Sequence, residues 1–221
     1  SIIRKVNLRT SQATIEAGIH RIWGFSGDSG LATEAELHEP EAVAVDSLGN
    51  LYIADSWNYR IRKVDYATGI ISTVLGGEGV PEEKKVGYVT TMLFDSAENL
   101  YYNKNYQAWR WNIAADTFVR IAGNGTNDFS GDGGPATEAG LGGWWYPLNF
   151  ALDGSNNLYI ANGAYQRVWV VSAESGIITT LAAPEYPPRG DGHLAVESIL
   201  GRPSGVAVDR SGNFFFIEVD N

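Results

Sequence analysis

The residues able to do chemistry in this chain are few among the nitrogen and sulfur donors and regular among the carboxylates. His20, His38 and His193 are its three histidines, and there is no cysteine in the 221 residues. A zinc or hydrolytic site needs convergent ligands, or a nucleophile held against a base. The three histidines are distant from one another in sequence, and no nucleophile–base pair is visible beside them. Solvent or turn roles are therefore expected of them, and no metal or cofactor. The aspartates behave differently. Asp46, Asp95, Asp153 and Asp209 recur at intervals of 49, 58 and 56 residues, each followed four residues later by Asn50, Asn99, Asn157 or Asn213. A ring of four carboxylates can hold a cation. The stronger reading is local: Asp and Asn bond to backbone a few residues on, so each pair caps one tight turn. Asp28, Asp132 and Asp191 form a second set in Gly-Asp turns. They lack the Asp density of a calcium loop and are read as structural turns.

These aspartates must be positioned by strands. Pro40–Asp65 reads PEAVAVDSLGNLYIADSWNYRIRKVD. Ala42–Val45 and Leu51–Ala54 are apolar runs separated by a turn, and Arg60–Val64 alternates polar with apolar. Ile70–Leu75 follows Thr68-Gly69 as a fourth strand. One such sheet cannot bury its faces alone. First-strand segments ending in Asp recur as AVAVD, TMLFD, NFALD and GVAVD, each followed by a second strand, LYIA, LYYN, LYIA or FFFI. A period near 50 residues with four strands per unit is that of a propeller blade.

The chain resembles NHL-repeat β-propellers over nearly its whole length, through PEAVAVDSLGNLYIADSWNYRIRKVD and the last copy's PSGVAVDRSGNFFFIEVDN. The segments GFSGDSGLATEAEL (24–37) and DFSGDGGPATEAGL (128–141) look like the connectors of secreted, multi-repeat members. The resemblance implies an all-β fold, a β-propeller of four-stranded antiparallel blades at 40–76, 89–123 and 148–183. A fourth blade would combine 205–221 with 1–18, closing a single domain over 1–221. Ile3–Asn7 aligns with Ile61–Asp65 at an offset of 58, so Asn221 falls on Asn58 and Ser1 on Tyr59 without gap or overlap. Closure within one chain is the simplest reading. Closure between copies, or membership of a larger six-bladed propeller, are the rivals. Because residue 1 is Ser and not Met, the chain reads as processed, trimmed or a fragment. The family includes scaffolds, binding modules and a few enzymes. Its lyases carry histidines on blades near the channel, and no position here matches that pattern.

The turns between second and third strands carry Asp55, Lys104, Asn162 and Glu218 at equivalent places, with Trp57 and Tyr106 beside them. Divergence at one place in a pseudo-symmetric repeat suits a ligand rim, here for a sugar or a peptide. Plain solvent exposure is the competing reading. Trp109, Trp111 and Trp169 lie on third strands and Trp144 and Trp145 at a blade entry, where stacking of blade on blade is expected. Asn124-Gly125-Thr126 is the one N-glycosylation sequon.

Sixteen basic against 26 acidic residues leave a net charge of −10, which disfavours nucleic acid. No apolar run approaches a membrane span. The expected function is a non-catalytic extracellular binding, scaffold or assembly module, with protein partners or copies of itself. A lectin-like propeller using exposed Trp and Tyr is the alternative, with a metal-dependent lyase or hydrolase in the central channel a third.

Overall fold

The structure is a computed structural model and describes residues 1–143, 147–183, 194–197 and 200–219. Trp144, Trp145, Asp191 and His193, and the end of the closure register at Asn221, lie outside these residues. The strands are β1 (Ile3–Asn7), β2 (Gln12–Ala17), β3 (Pro40–Val45), β4 (Leu51–Asp55), β5 (Arg60–Val64) and β6 (Ile71–Gly76). They continue as β7 (Met92–Phe94), β8 (Asn99–Lys104), β9 (Gln107–Asn112), β10 (Thr117–Ala122), β11 (Phe129–Ser130) and β12 (Gly140–Leu141). The last six are β13 (Leu148–Leu152), β14 (Leu158–Asn162), β15 (Arg167–Val171), β16 (Ile178–Ala182), β17 (Arg202–Val208) and β18 (Phe214–Val219). Helix among the described residues is confined to three-residue 3-10 turns such as Ala32–Glu34 and Ala136–Glu138, and no helix is long and apolar enough to cross a membrane.

Three four-stranded sheets run β3-β4-β5-β6, β7-β8-β9-β10 and β13-β14-β15-β16, while β1-β2 and β17-β18 are two-stranded sheets. All the pairings given by register are antiparallel, for example Leu51↔Val64 and Leu158↔Val171. Each set is a run of hairpins, as the repeat predicts. The residues group into two compact units, 1–94 and 95–221.

In the first unit the core gathers Ala17, Ala32, Leu37, Ile53, Val64 and Ile71. Leu37, at the end of the first Gly-Asp connector, is fully buried. In the second, Ala161, Val168, Ala182 and Leu200 form a core against Val206, Phe214 and Phe216. The two Gly-Asp connectors are bonded in the same way. In one, Ser29 N–H donates to Ile71 O at 2.8 Å and Ile71 N–H to Gly30 O at 3.0 Å. In the other, Gly133 N–H donates to Ile178 O at 2.8 Å and Ile178 N–H to Gly134 O at 3.0 Å. Ala32 and Ala136 N–H groups reach Gly69 O and Gly176 O. Each connector is thus hydrogen-bonded along the outer strand of a complete blade, which satisfies backbone groups that a loose loop would leave to water.

Candidate functional site

Asp55 ends β4 inside the first unit, where both of its carboxylate oxygens meet protein donors. Oδ1 accepts the His38 N–H at 2.7 Å, Oδ2 accepts Asn58 Nδ2 at 2.8 Å, and Arg62 Nη1 stands 3.7 Å away. Arg62 on β5 is fully buried, with Asp28 Oδ1 at 2.7 Å and the carbonyls of Glu36 and Ser26 as further acceptors. The Phe25 ring lies 5.1 Å from its guanidinium. Burial pushes the Asp55 carboxyl above the ordinary aspartate value, against the bonds from Asn58 and His38 and the charge of Arg62. Burial also acts upward on Asp28, but bonds from Thr73 and Arg62 outweigh it and hold that carboxyl below its ordinary value.

The equivalent residue in the later blade, Asn162, is also buried. Its amide donates to Leu141 O at 3.0 Å and Gly142 O at 3.2 Å, and its oxygen accepts the Ala164 and Tyr165 N–H groups at 2.8 and 3.2 Å. Lys104 is buried with its ammonium 5.4 Å from the Trp109 ring centroid. Glu218 is exposed and accepts the Gly201 N–H at 3.0 Å. Tyr106 is half-buried at a positive φ of 60°. The open rim expected of these positions is therefore not what Asp55, Lys104 and Asn162 form. Asp55 and Asn162 tie their turns to the preceding connector by different bonds, whereas Lys104 lies over Trp109 of its own blade, as buried polar groups take partners where their surroundings supply them.

Trp57, like Glu218, is exposed, with half of its surface free and its ring 5.4 Å from that of His38. Trp23, Phe25 and Tyr59 are exposed on the same unit. They bracket the bond from Asn58 Nδ2 to Gly24 O at 2.7 Å, and the Arg60 guanidinium lies 3.8 Å over the Phe25 ring. The rim reading missed Trp23 and Phe25. Their signal was an aromatic pair flanking Gly24 immediately before a Gly-Asp turn.

The repeated aspartates close their own turns. Oδ1 of Asp46, Asp95, Asp153 and Asp209 accepts the N–H of Asn50, Asn99, Asn157 and Asn213 at 2.8, 2.9, 2.9 and 2.8 Å. Oδ2 accepts the same asparagine's Nδ2 at 2.8 Å in all four. Asn50 and Asn157 pass the link on, accepting the N–H of Tyr66 and Ala173 across the blade at 2.9 Å each. Hydrogen bonds from Asn213 hold Asp209 below the ordinary value; for Asp153, burial acts upward but the Asn157 bonds prevail. His20 and His38 lie in connectors. Among the described residues no three His, Cys, Asp or Glu side chains gather in a metal-binding group. In the second unit a cleft of about 220 Å³ opens at the rim end of the sheets, between Pro147, Asn149 and Gly163 on one side and Arg202, Pro203 and Ser204 on the other.

Residues 23–97 match the model of the Teneurin NHL domain. No curated protein sequence matches the chain. Among solved structures, an auxiliary nutrient binding protein from Bacteroides ovatus aligns with a TM-score of 0.61 and 18% identity, over 96% of this chain and 55% of the other. The nidogen/laminin complex aligns at 0.61 with 14% identity, over 98% and 64%. Virginiamycin B lyase from Staphylococcus aureus aligns at 0.55 with 13% identity, over 98% and 56%. The chain thus spans 55–64% of the length of these three. At such identities the likeness is one of fold, and it reaches binding proteins and a lyase alike. The match over residues 23–97, the Asp-x-x-x-Asn turns and the four-stranded antiparallel sheets agree on NHL-type repeats built as the blades of a β-propeller fold.

Proposed function

We propose that the chain is a non-catalytic binding and assembly module that works outside the cell, through contacts with proteins or with other copies of itself. The observation that carries this reading is the state of the two-stranded sheets. Phe215 and Ile217 on β18 are 59% and 64% exposed, whereas their repeat equivalents in the complete first blade, Tyr52 and Ala54, are 2% and 0% exposed. Val6 and Ile15 on β1 and β2 are exposed likewise. Apolar rows that a complete blade buries are surfaces for strand addition.

The repeat sets the register of that addition. Phe214 would face Val6 and Ile217 would face Ile3, as Leu51 faces Val64 and Ala54 faces Ile61. Asn213 would then accept the Leu8 N–H, as Asn50 accepts that of Tyr66. Pairing within one chain gives a fourth blade, pairing between copies gives head-to-tail assembly, and pairing with further blades of a longer chain gives a larger propeller. Disulfide trapping of an Ile3→Cys, Ile217→Cys variant, the pair that this register sets face to face, tests this. A cross-linked monomer is expected, and a ladder of multimers would assign the pairing to separate copies. A folded variant that yields neither would remove strand addition between the two ends from the reading.

An extracellular site of action agrees with the sequon. Asn124 is half-buried, with Nδ2 donating to Glu138 O at 3.1 Å and Oδ1 accepting the Thr126 N–H at 2.8 Å. Secreted eukaryotic material is expected to carry a glycan there, seen as added intact mass that vanishes in an Asn124→Gln variant. A second reading rests on Trp23, Trp57 and Tyr59, whose exposed rings suit the apolar face of a sugar. A glycan array with wild type and Trp57→Ala separates it from the first.

A further inference from the structure

The second unit holds a larger crevice of about 480 Å³, within the range of small-molecule sites. It lies between the sheet of β8–β10 and the blade of β13–β16. Ser155 and Asn156, in the turn between β13 and β14, and Ser172, at the start of the turn between β15 and β16, line one wall. Antiparallel order puts both turns at the end of the sheet away from the second-to-third-strand turn at Asn162, so this crevice is distinct from the rim. Arg110 on β9 and Arg120 on β10 line the other wall. Arg110 sits opposite Val119 and Arg120 opposite Trp109, which by strict alternation puts the two on opposite faces. The register is irregular between Arg120 and Ala122, and both arginines are among the residues that line the crevice.

Arg110 and Arg120 both line this crevice on a chain of net charge −10, and neither has an ion-pair partner among the described residues. Glu174 lies in the Ser172–Gly176 turn but is not among the residues that line the crevice, and two further turn carboxylates, Asp95 and Asp153, are engaged in their own turns. Asp95 takes the N–H groups of Ala97 and Asn99 and the Asn99 amide, and Asp153 takes those of Ser155 and Asn157 and the Asn157 amide. Arg110 hydrogen-bonds the Tyr101 hydroxyl, which fixes its place on the wall. Leu158 and Val171 give the crevice an apolar floor, and Thr137 adds a hydroxyl.

We propose that this crevice binds a small acidic sugar, its carboxylate between Arg110 and Arg120 and its ring over the apolar floor, with the serine and threonine hydroxyls meeting the ring hydroxyls. Guanidinium forks match a carboxylate, and they are weakly hydrated enough to give up water for it. The site is independent of strand addition and of the Trp57 surface.

Titration of the 221-residue protein with glucuronate, glucose and sodium sulfate, followed by ligand-observed NMR and calorimetry, tests the assignment. Glucuronate is expected to bind with millimolar or better affinity and glucose not measurably. Arg120→Gln and Arg110→Gln should each weaken glucuronate about tenfold, as loss of one charged hydrogen-bonding partner does. Arg120 is exposed, so its variant tests the site without disturbing the fold. Arg210→Gln, an exposed arginine of the same unit outside the crevice, should leave the affinity unchanged. Equal binding of glucuronate and glucose would overturn the proposal. So would undiminished binding in both crevice-arginine variants, an equal loss in Arg210→Gln, or no glucuronate binding by folded protein. Sulfate binding as tight as glucuronate would reduce the site to an unselective anion pocket and also overturn it.

Discussion

At the scale of the residue, Arg62 is the most consequential side chain in the first unit. It is fully buried and joins Asp28, on the connector, to Asp55, at the end of β4. Its repeat equivalents are Trp109 and Trp169, so one position accepts either a ring or a cation satisfied on several sides. Removing the cation leaves the Asp55 carboxylate buried without its charge partner. Such a deletion costs about 3–5 kcal/mol where both partners are buried. Arg62→Met is therefore expected to lower the unfolding free energy by at least about 3 kcal/mol at neutral pH, read from urea midpoints. The sign of its pH dependence follows from Asp55. A carboxyl already held above its unfolded value by burial opposes folding when ionised, and that opposition fades as pH falls through the folded-state value. The loss should thus be smaller at acidic than at neutral pH. An equal loss at both would show that Asp55 is not what the arginine neutralises.

At the scale of the element, the blades repeat a backbone device as well as a strand pattern. Gly18, Gly76 and Gly123 end the outer strands at φ near +90°, and a Cβ on them would stand 2.2, 2.1 and 2.3 Å from the carbonyl oxygens of Ser1, Tyr59 and Tyr106. Gly76→Ala is expected to cost about 2–4 kcal/mol, since the left-handed strain and the clash with a fixed backbone atom add. Gly79→Ala is the control: it shares a positive φ of 74° but meets nothing within 4 Å, and should cost about 1 kcal/mol. Equal costs would show that the carbonyl approach does not matter. The strands and the Asp-x-x-x-Asn turns were legible in the sequence because their bonds close within four residues. The role of Arg62 was not. Arg60–Val64 reads as a strand alternating polar and apolar, yet Arg62 is buried with acceptors 26, 34 and 36 residues away in the chain. The aromatic surface around Asn58 was half legible for the same reason. Trp57 lies in a readable turn, whereas Trp23 and Phe25 reach it through a bond between residues 34 apart.

At the scale of the whole molecule, the chain is acidic and strand-built, and its complete sheets do not treat their outer strands alike. The Gly-Asp connectors are hydrogen-bonded along β6 and β16 through Ile71 and Ile178, and Asp132 adds a bond from the Thr180 N–H at 2.8 Å. Among the described residues no backbone bond of this kind reaches β10, whose residues Thr117, Val119 and Arg120 are exposed. Amide hydrogen exchange should show the difference. Ile71 and Ile178 are expected to exchange slowly although they lie on outermost strands, while the outward-facing amides of β10 exchange at rates near those of loops. Uniform protection across all three strands would contradict this. The same contrast bears on how such repeats stay apart in concentrated solution. A connector bonded along an outer strand acts as a sacrificial neighbour, occupying the groups that a foreign strand would template on. Where that neighbour is missing, the charge of Arg120 is the remaining deterrent, so neutralising it should make β10 the first place at which the chain aggregates.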